Sequence, residues 1–254
     1  MSGWPSPLGL VLMQIRHQLR MIWRIPIALF FTIMLPLVML VLFNALFGGE
    51  DVRTDSGTWP VSQFYTGGLA AFTAVSATYT NLANMVPIRR EEGVLKRWRG
   101  TPMTTGTYLI GFVGSAIVLA AIGAGIMIGM GVVFYDLQIE AAKVPAMIVT
   151  FLIGVGSFAA LGMAVAAVVS DASSASAVAN MTILPLGFVS NIFIPLDDPP
   201  AWLKTLGDVF PLKPFATAFQ DTFNPAVDAP AFDWGRLLFV LLWGAAGALV
   251  AVKW

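Results

Sequence analysis

Few residues in this sequence could carry out covalent chemistry. There is no cysteine and one histidine, His17, which excludes thiolate and multi-histidine metal sites. The phosphate-binding motif G-x-x-x-x-G-K-[ST] is absent, as are the H-E-x-x-H and G-x-S-x-G motifs of hydrolases. The sequence therefore predicts a protein that is not an enzyme, with no catalytic residue, metal site or cofactor of its own.

The charged residues that could bind a partner are concentrated in one segment. The eleven positions from Arg89 to Arg99 hold five basic and two acidic side chains. Glu92 and Lys96 have the favourable order of an i,i+4 helical ion pair, and residues 100–102 (Gly-Thr-Pro) predict the end of that helix. Three apolar side chains share one of its faces: Val94, Leu95 and Trp98. The segment is either a docking element for a soluble partner or a charge cluster that lies on lipid headgroups.

Long neutral stretches surround this segment and predict the elements that position it. The chain is 57% hydrophobic and 11% charged, whereas about 25% of a soluble domain is charged. Six neutral stretches approach or exceed the roughly 20 apolar residues that a membrane-spanning helix needs. We place the six spans near residues 26–47, 62–87, 106–134, 145–169, 175–194 and 234–252. The fold class predicted is therefore all-α integral membrane, and the zero net charge gives no case for a nucleic-acid partner.

The distribution of basic residues predicts the orientation. With a cytoplasmic N-terminus, nine of the fourteen Lys and Arg residues fall on the cytoplasmic side. The positive-inside rule therefore favours a multi-pass protein with both termini in the cytoplasm. High alanine, glycine and valine usage suits a GC-rich bacterium, so we expect the protein in a bacterial plasma (inner) membrane.

Residues 7–24 predict an amphipathic helix, with Ser6 as N-cap and Pro7 as its first residue. At 100° per residue one arc is apolar: Leu8, Val11, Leu12, Ile15, Leu19, Ile22 and Trp23. The opposite side is polar: Gln14, Arg16, His17, Gln18, Arg20 and Arg24. Such a helix is expected to lie in the membrane interface with its basic face toward the headgroups, and His17 is expected to be solvated.

The run from Arg89 to Pro102, followed by Tyr108-Leu109-Ile110-Gly111, resembles the signature of type-2 ABC exporter permeases. The resemblance covers essentially the whole chain and implies an interfacial elbow helix, six spans and a cytoplasmic coupling helix at 88–101 that fits a cleft of an ATPase subunit. It assigns ATPase coupling to these residues: Arg89, Arg90, Glu91, Glu92, Gly93, Val94, Leu95, Lys96, Arg97, Trp98, Arg99, Thr101 and Pro102. It also implies two ABC ATPase subunits, which would carry the ATP and Mg²⁺, and a second permease chain, identical or paralogous.

Residues 195–232 contain seven prolines interleaved with aromatic and aliphatic residues. The segment is too apolar for a free loop and too rich in proline for a span. We predict short re-entrant helices that dip into the outer leaflet, an arrangement similar to one found in the same family. A plain surface loop is the alternative.

Polar residues within the spans are candidates for a substrate pathway. On a regular helical wheel, five residues of the second span fall within about 80° of one another: Thr66, Thr73, Ser76, Thr80 and Asn84. The fifth span adds Asn180, Thr182 and Asn191. These residues either line a passage between two permease chains or form hydrogen bonds between helices. In the third span, Ala121, Gly125 and Gly129 predict a face for close helix packing.

No ionisable residue lies deep in a predicted span, which disfavours a proton- or ion-coupled transporter. Together with the resemblance, this favours an ATP-driven exporter that moves a hydrophobic or amphipathic substrate, such as a drug or a lipid. Two alternatives stay open. One is a polysaccharide or glycolipid exporter permease of the same class, and the other is a membrane scaffold or enzyme subunit whose basic loop binds anionic lipid.

Overall fold

The computed structural model describes residues 7–24, 30–54, 56–94, 105–196 and 199–253. In these ranges the regular secondary structure is helical except for one two-stranded hairpin. The elements are α1 (Pro7–Trp23), a π-helical turn (Phe30–Met34) continuing as α2 (Leu35–Phe47), β1 (Asp51–Thr54), β2 (Gly57–Pro60), α3 (Val61–Val75), a second π-helical turn (Ser76–Thr80), α4 (Asn81–Glu91), α5 (Thr105–Phe134), a 3-10 turn (Ala141–Lys143), α6 (Val144–Val168), α7 (Ala172–Val189), α8 (Ala201–Val209), α9 (Leu212–Asp221) and α10 (Trp234–Lys253).

Four of the described helices are long and apolar enough to cross a membrane, judged by length and composition. They are Gly106–Phe134, Ala141–Val168, Ala172–Val189 and Trp234–Lys253. Large apolar side chains cover their outward faces; Leu249, for example, is 73% exposed and Val252 is 87% exposed. Such surfaces suit lipid rather than water. The fold is an all-α membrane fold, as the composition predicts.

Two further helical segments pass along the bundle. Thr32–Phe47 is apolar but shorter than the four helices above. The run α3–π–α4 is continuous from Val61 to Glu91, which corresponds to about 45 Å at 1.5 Å per residue. It is more polar than the others, because it carries the threonines and asparagines considered above. The count of six spans therefore stays a prediction.

The bundle has two ends, which we name by the features found there. The hairpin end holds β1 and β2, and the Arg90 end holds the last turn of α4. Helices α6 and α10 run parallel from the hairpin end to the Arg90 end, since Gly244 packs on Ser157 and Gly247 packs on Leu161. Helix α1 lies at the Arg90 end, where it packs on the first turns of α5.

The packing face of α5 differs from the predicted one. Gly125 and Gly129 have open space where a Cβ would be, so the Ala121, Gly125 and Gly129 face is not a close-packed face within this chain. Another set of glycines makes the close approaches, to α1 and to α3: Gly111, Gly114, Gly123 and Gly131. Four-residue spacing alone does not distinguish the two faces, because both carry small residues.

Helix α1 has the predicted extent, but its buried face is different. Gln14 and Gln18 are each only 4% exposed, whereas Leu8 is 70% and Leu12 is 57% exposed. The prediction that both glutamines face the headgroups is therefore wrong. The cause is α5, because the missing side chain of Gly111 leaves room for Gln14, whose Cγ would be 2.5 Å from a Cβ there. The basic residues Arg16, Arg20 and Arg24 are exposed, as predicted.

The β1–β2 hairpin was not predicted. Its strands pair antiparallel in the register Val52 to Trp59. The Trp59 indole donates to the Thr54 hydroxyl at 3.1 Å, and that hydroxyl donates to the Gly57 carbonyl at 3.2 Å. The local signal is the turn-forming sequence Asp-Ser-Gly at 55–57 between residues of high β propensity.

Candidate coupling site and pathway residues

The last turn of α4 is fastened to the end of α6 by Arg90. Its guanidinium donates to the carbonyls of Ser170 (2.9 Å), Ala166 (3.3 Å) and Val169. Ala166 lies in the last turn of α6, whose carbonyls have no partner within the helix, and Val169 and Ser170 follow the helix directly. The negative end of the helix dipole adds an attraction for the cation. Arg90 therefore caps α6 from another element of the chain.

The neighbouring residue, Glu91, makes the complementary contact with α7. Its carboxylate accepts a hydrogen bond of 2.7 Å from the backbone N–H of Ala172, the first residue of α7. Unpaired N–H groups and the positive end of the dipole favour an anion there. Adjacent residues of opposite charge thus hold the two helix ends that flank the 169–171 turn. We call this pair of contacts the Arg90–Glu91 clamp.

Asp171 is the N-cap of α7 and completes the turn within the clamp. Its carboxylate accepts from the Ser174 N–H at 2.8 Å and from the Ser173 hydroxyl at 2.7 Å. These hydrogen bonds lower the pKa of Asp171 to about 2, and the bond from the Ser174 backbone N–H has the largest effect. The carboxylate therefore stays ionised through the physiological range and fixes the start of α7.

The coupling segment continues past the clamp for three described residues. Arg89 forms an ion pair with Glu92 at 2.9 Å, and its guanidinium lies 3.4 Å from the Met21 sulfur of α1. Gly93 has φ +69°, a conformation that ends the helix at little cost only for glycine. Val94 follows it. The other predicted coupling residues lie outside the described residues: Leu95, Lys96, Arg97, Trp98, Arg99, Thr101 and Pro102. The predicted pairing of Glu92 with Lys96 is therefore untested.

The predicted pathway residues of the second span do not share one face. Thr66 and Thr73 are completely buried. The methyl group of Thr66 packs on Gly131 and that of Thr73 on Gly123, so closely that a Cβ on either glycine would lie 2.6 Å from it. Each hydroxyl donates to its own helix, to the Ser62 and Leu69 carbonyls at 2.7 Å. In this structure both threonines lie inside the chain, between α3 and α5.

The π-helical turn explains the difference. A π turn inserts about one extra residue, so later positions are rotated by roughly 100° relative to a regular wheel. Ser76 and Thr80 begin and end this turn, and Asn84 follows it; all three are partly exposed. The Tyr79 hydroxyl in the same turn is in hydrogen-bond contact with Thr182 of α7. Although Thr80 and Asn84 are partly exposed as residues, the Thr80 hydroxyl and the Asn84 amide oxygen are themselves buried and have no hydrogen-bond partner among the described residues.

The predicted residues of the fifth span also lie in different places: Asn180 and Thr182 on α7, and Asn191 in the turn after it. Asn180 is exposed and donates to the Ser176 carbonyl at 2.9 Å, and Thr182 donates to the Val178 carbonyl at 2.7 Å. Asn191 has φ +56° and accepts from the Leu196 N–H at 3.1 Å, so it forms the turn after α7. Whether any of these residues contacts substrate stays a prediction.

Helix α9 fills a groove between α3, α6, α7 and α10. Phe215 is fully buried, and a Cβ on Gly154 would lie 2.0 Å from its ring. Since Gly154 is ten residues from the start of α6, α9 reaches about 15 Å along the bundle from the hairpin end. The Gln220 amide donates to the Phe64 and Asn191 carbonyls at 3.2 and 3.1 Å. This part of 195–232 is not a plain surface loop.

Two buried ionic contacts near the hairpin end were missed by the sequence analysis. Lys143 is 2% exposed and donates to Glu140 at 2.7 Å and to the Asn224 carbonyl at 2.8 Å. Asp221 pairs with Arg236 at 3.0 Å, and burial raises the pKa of the Asp221 carboxyl. Glu140 is only three residues from Lys143, but Asn224 is 81 residues away and Arg236 is 15 residues from Asp221, so no local signal identifies these two partners.

A bundle of apolar helices with a charged loop clamped at one end defines a multi-pass membrane protein. The model of the ABC-2 type transporter family matches residues 10–224, and the chain therefore belongs to that family as a permease. It is 29% identical over 233 residues to the daunorubicin resistance ABC transporter permease protein DrrB1 of Streptomyces coeruleorubidus, covering 89% of this chain and 77% of that protein. It is 30% identical over 196 residues to the putative transport permease ycf38 of Cyanophora paradoxa, covering 74% and 65%.

Proposed function

We propose that this permease is the membrane-spanning subunit of an ATP-driven exporter with six spans. Helix α1 acts as the interfacial elbow, residues 88–101 as the coupling helix, and residues 195–232 as a re-entrant segment. Two such chains, identical or paralogous, associate with two ABC ATPase subunits that bind ATP and Mg²⁺. The complex lies in a bacterial plasma membrane with both termini in the cytoplasm.

The Arg90–Glu91 clamp is the observation that carries this proposal. It attaches the coupling segment to the ends of α6 and α7 through charge-assisted hydrogen bonds, which are shorter and stronger than neutral ones. A displacement of residues 88–94 therefore moves both helix ends together. Closure of the ATPases would thus be transmitted as a rigid-body shift that opens the passage to one side and closes it to the other.

The proposed substrate is a hydrophobic or amphipathic small molecule of drug or lipid type. The relative from Streptomyces coeruleorubidus is named for daunorubicin resistance, which supports export of a small molecule over export of a polysaccharide. Two of the connections at the hairpin end, residues 48–60 and 135–143, are short, which supports the same choice. Of the proposed pathway residues, Asn180 on α7 is exposed, and Thr80 and Asn84 are partly exposed.

Co-purification tests the proposal. We expect an ATPase subunit encoded by a chromosomal neighbour to purify with the tagged chain in mild detergent. Trp98→Asp is expected to abolish this association, because it places a charge on the apolar face of the coupling helix. Trp202→Asp is the matched control, since Trp202 is 69% exposed and lies on α8 at the opposite end. Recovery of the wild-type chain alone would favour the scaffold function instead.

A further inference from the structure

An aromatic cavity opens at the hairpin end, between α2, α3 and α7. It has a volume of about 520 Å³, within the usual range for small-molecule sites. Two aromatic pairs contribute to its walls. Phe43 and Tyr65 stack with ring centroids 4.6 Å apart, and Phe188 and Phe193 lie 5.0 Å apart. Phe188 is 49% exposed, so part of this aromatic surface is accessible from outside the chain.

Two carboxylates also line this aromatic cavity. Glu50 directly precedes β1 and Asp51 is the first residue of β1; both are exposed. Within the described ranges neither forms an ion pair, and Arg53, the nearest cation in sequence, does not line the cavity. Aromatic faces attract cations, and adjacent carboxylates attract them further. An anion in the cavity would be repelled by both carboxylates.

We propose that this cavity binds a hydrophobic organic cation. The inference rests on the proposed export function, because it identifies the chemical class of the substrate and a site that the substrate occupies at the hairpin end. The aromatic rings bind the apolar part of the ligand, and Glu50 and Asp51 bind its charge. The same shape without the positive charge is bound more weakly.

Tetraphenylphosphonium and tetraphenylborate are suitable probes, because they have nearly the same shape and opposite charges. The chain contains no cysteine, so Ile194→Cys places one thiol beside the cavity, where Ile194 is 51% exposed. In lipid nanodiscs we expect tetraphenylphosphonium to slow maleimide labelling of this thiol, and tetraphenylborate to leave it unchanged. Phe134→Cys is the control, since Phe134 is 65% exposed and does not line the cavity.

The acidic residues are then tested in the Ile194→Cys background with Glu50→Gln and Asp51→Asn together. The concentration of tetraphenylphosphonium that gives half protection is expected to rise roughly tenfold or more, because both charge contacts are lost. An unchanged labelling rate without probe shows that the double variant is folded. Equal protection by both ions, or full protection in the double variant, would overturn the proposal.

A second copy of the chain is the competing occupant of the cavity. Spontaneous disulfide formation between two Ile194→Cys chains would show that a copy fills it, and the proposal would then be wrong. The assay uses no ATPase, so its result is independent of the co-purification experiment. Cation binding without an associated ATPase would retain this site and reject the export function. An associated ATPase without cation binding would retain the export function and reject this site.

Discussion

Arg90 attaches a loop to the helix bundle, although the sequence shows only that this loop is charged. The charge density of the loop predicted contact with a partner, whereas the Arg90 guanidinium donates to three carbonyls at the end of α6 and just after it. Glu91 is used in the same way on α7. These contacts join residues about 80 positions apart, so no sequence periodicity reveals them. Of the other charges of the segment, Arg89 and Glu92 pair with each other, and Lys96, Arg97 and Arg99 lie outside the described residues.

Replacing Arg90 by glutamine should destabilise the chain and uncouple it. We expect Arg90→Gln to lower the free energy of unfolding by about 1–3 kcal/mol, because charge-assisted hydrogen bonds to partly buried carbonyls are lost. Arg90→Lys should restore only part of this, since an ammonium group lacks the planar fork that reaches several carbonyls. Thermal unfolding in detergent measures the change. Arg16→Gln, on the exposed face of α1, is the control, and an equal effect there would contradict the prediction.

At the scale of elements, α9 shows how a proline-rich segment becomes part of a membrane bundle. Its aromatic residues enter a groove that exists because α6 has glycine at position 154. Both the proline content and the missing side chain are visible in the sequence. The contact of Phe215 with Gly154 is not visible in the sequence, because it depends on how α6, α3 and α10 are arranged around the groove.

A methyl group at Gly154 should therefore displace α9. We expect Gly154→Ala to destabilise the chain by about 1–3 kcal/mol through overpacking against Phe215. Gly156→Ala is the matched control, because Gly156 has open space around it, and alanine should there be neutral or stabilising by up to about 1 kcal/mol. Thermal unfolding compares the two. Combining Gly154→Ala with Phe215→Leu should recover part of the loss; no recovery would show that the clash lies elsewhere.

The helices followed from the sequence more readily than their faces did. Helices α5, α6, α7 and α10 lie where neutral stretches predicted spans, because a helix that contacts lipid needs continuous apolar residues. Faces depend on tertiary contacts. The π turn at Ser76–Thr80 rotated the predicted polar arc, and the approach of α5 reversed the assignment of Gln14 and Gln18. The ion pair of Asp221 with Arg236 was missed for the same reason.

At the scale of the whole molecule, the bundle separates its functions by end. The clamp, the coupling segment, α1 and the end of α10 lie at the Arg90 end, and the hairpin, α8 and the aromatic cavity lie at the other. The start of α1 and the end of α10 are therefore on the same side, as an even number of crossings requires. Since the basic residues of α1 and α4 are concentrated at this end, the positive-inside rule predicts that it faces the cytoplasm.

This orientation can be measured with single cysteines, because the natural chain has none. Thr58 is exposed on β2, and Lys253 is exposed at the end of α10. In intact cells, a membrane-impermeant maleimide should label Thr58→Cys, whereas Lys253→Cys should react only after permeabilisation. Labelling of Lys253→Cys alone in intact cells would show that the orientation is the opposite one. The coupling segment would then face away from any cytoplasmic ATPase, so this outcome would reject the export function together with the topology.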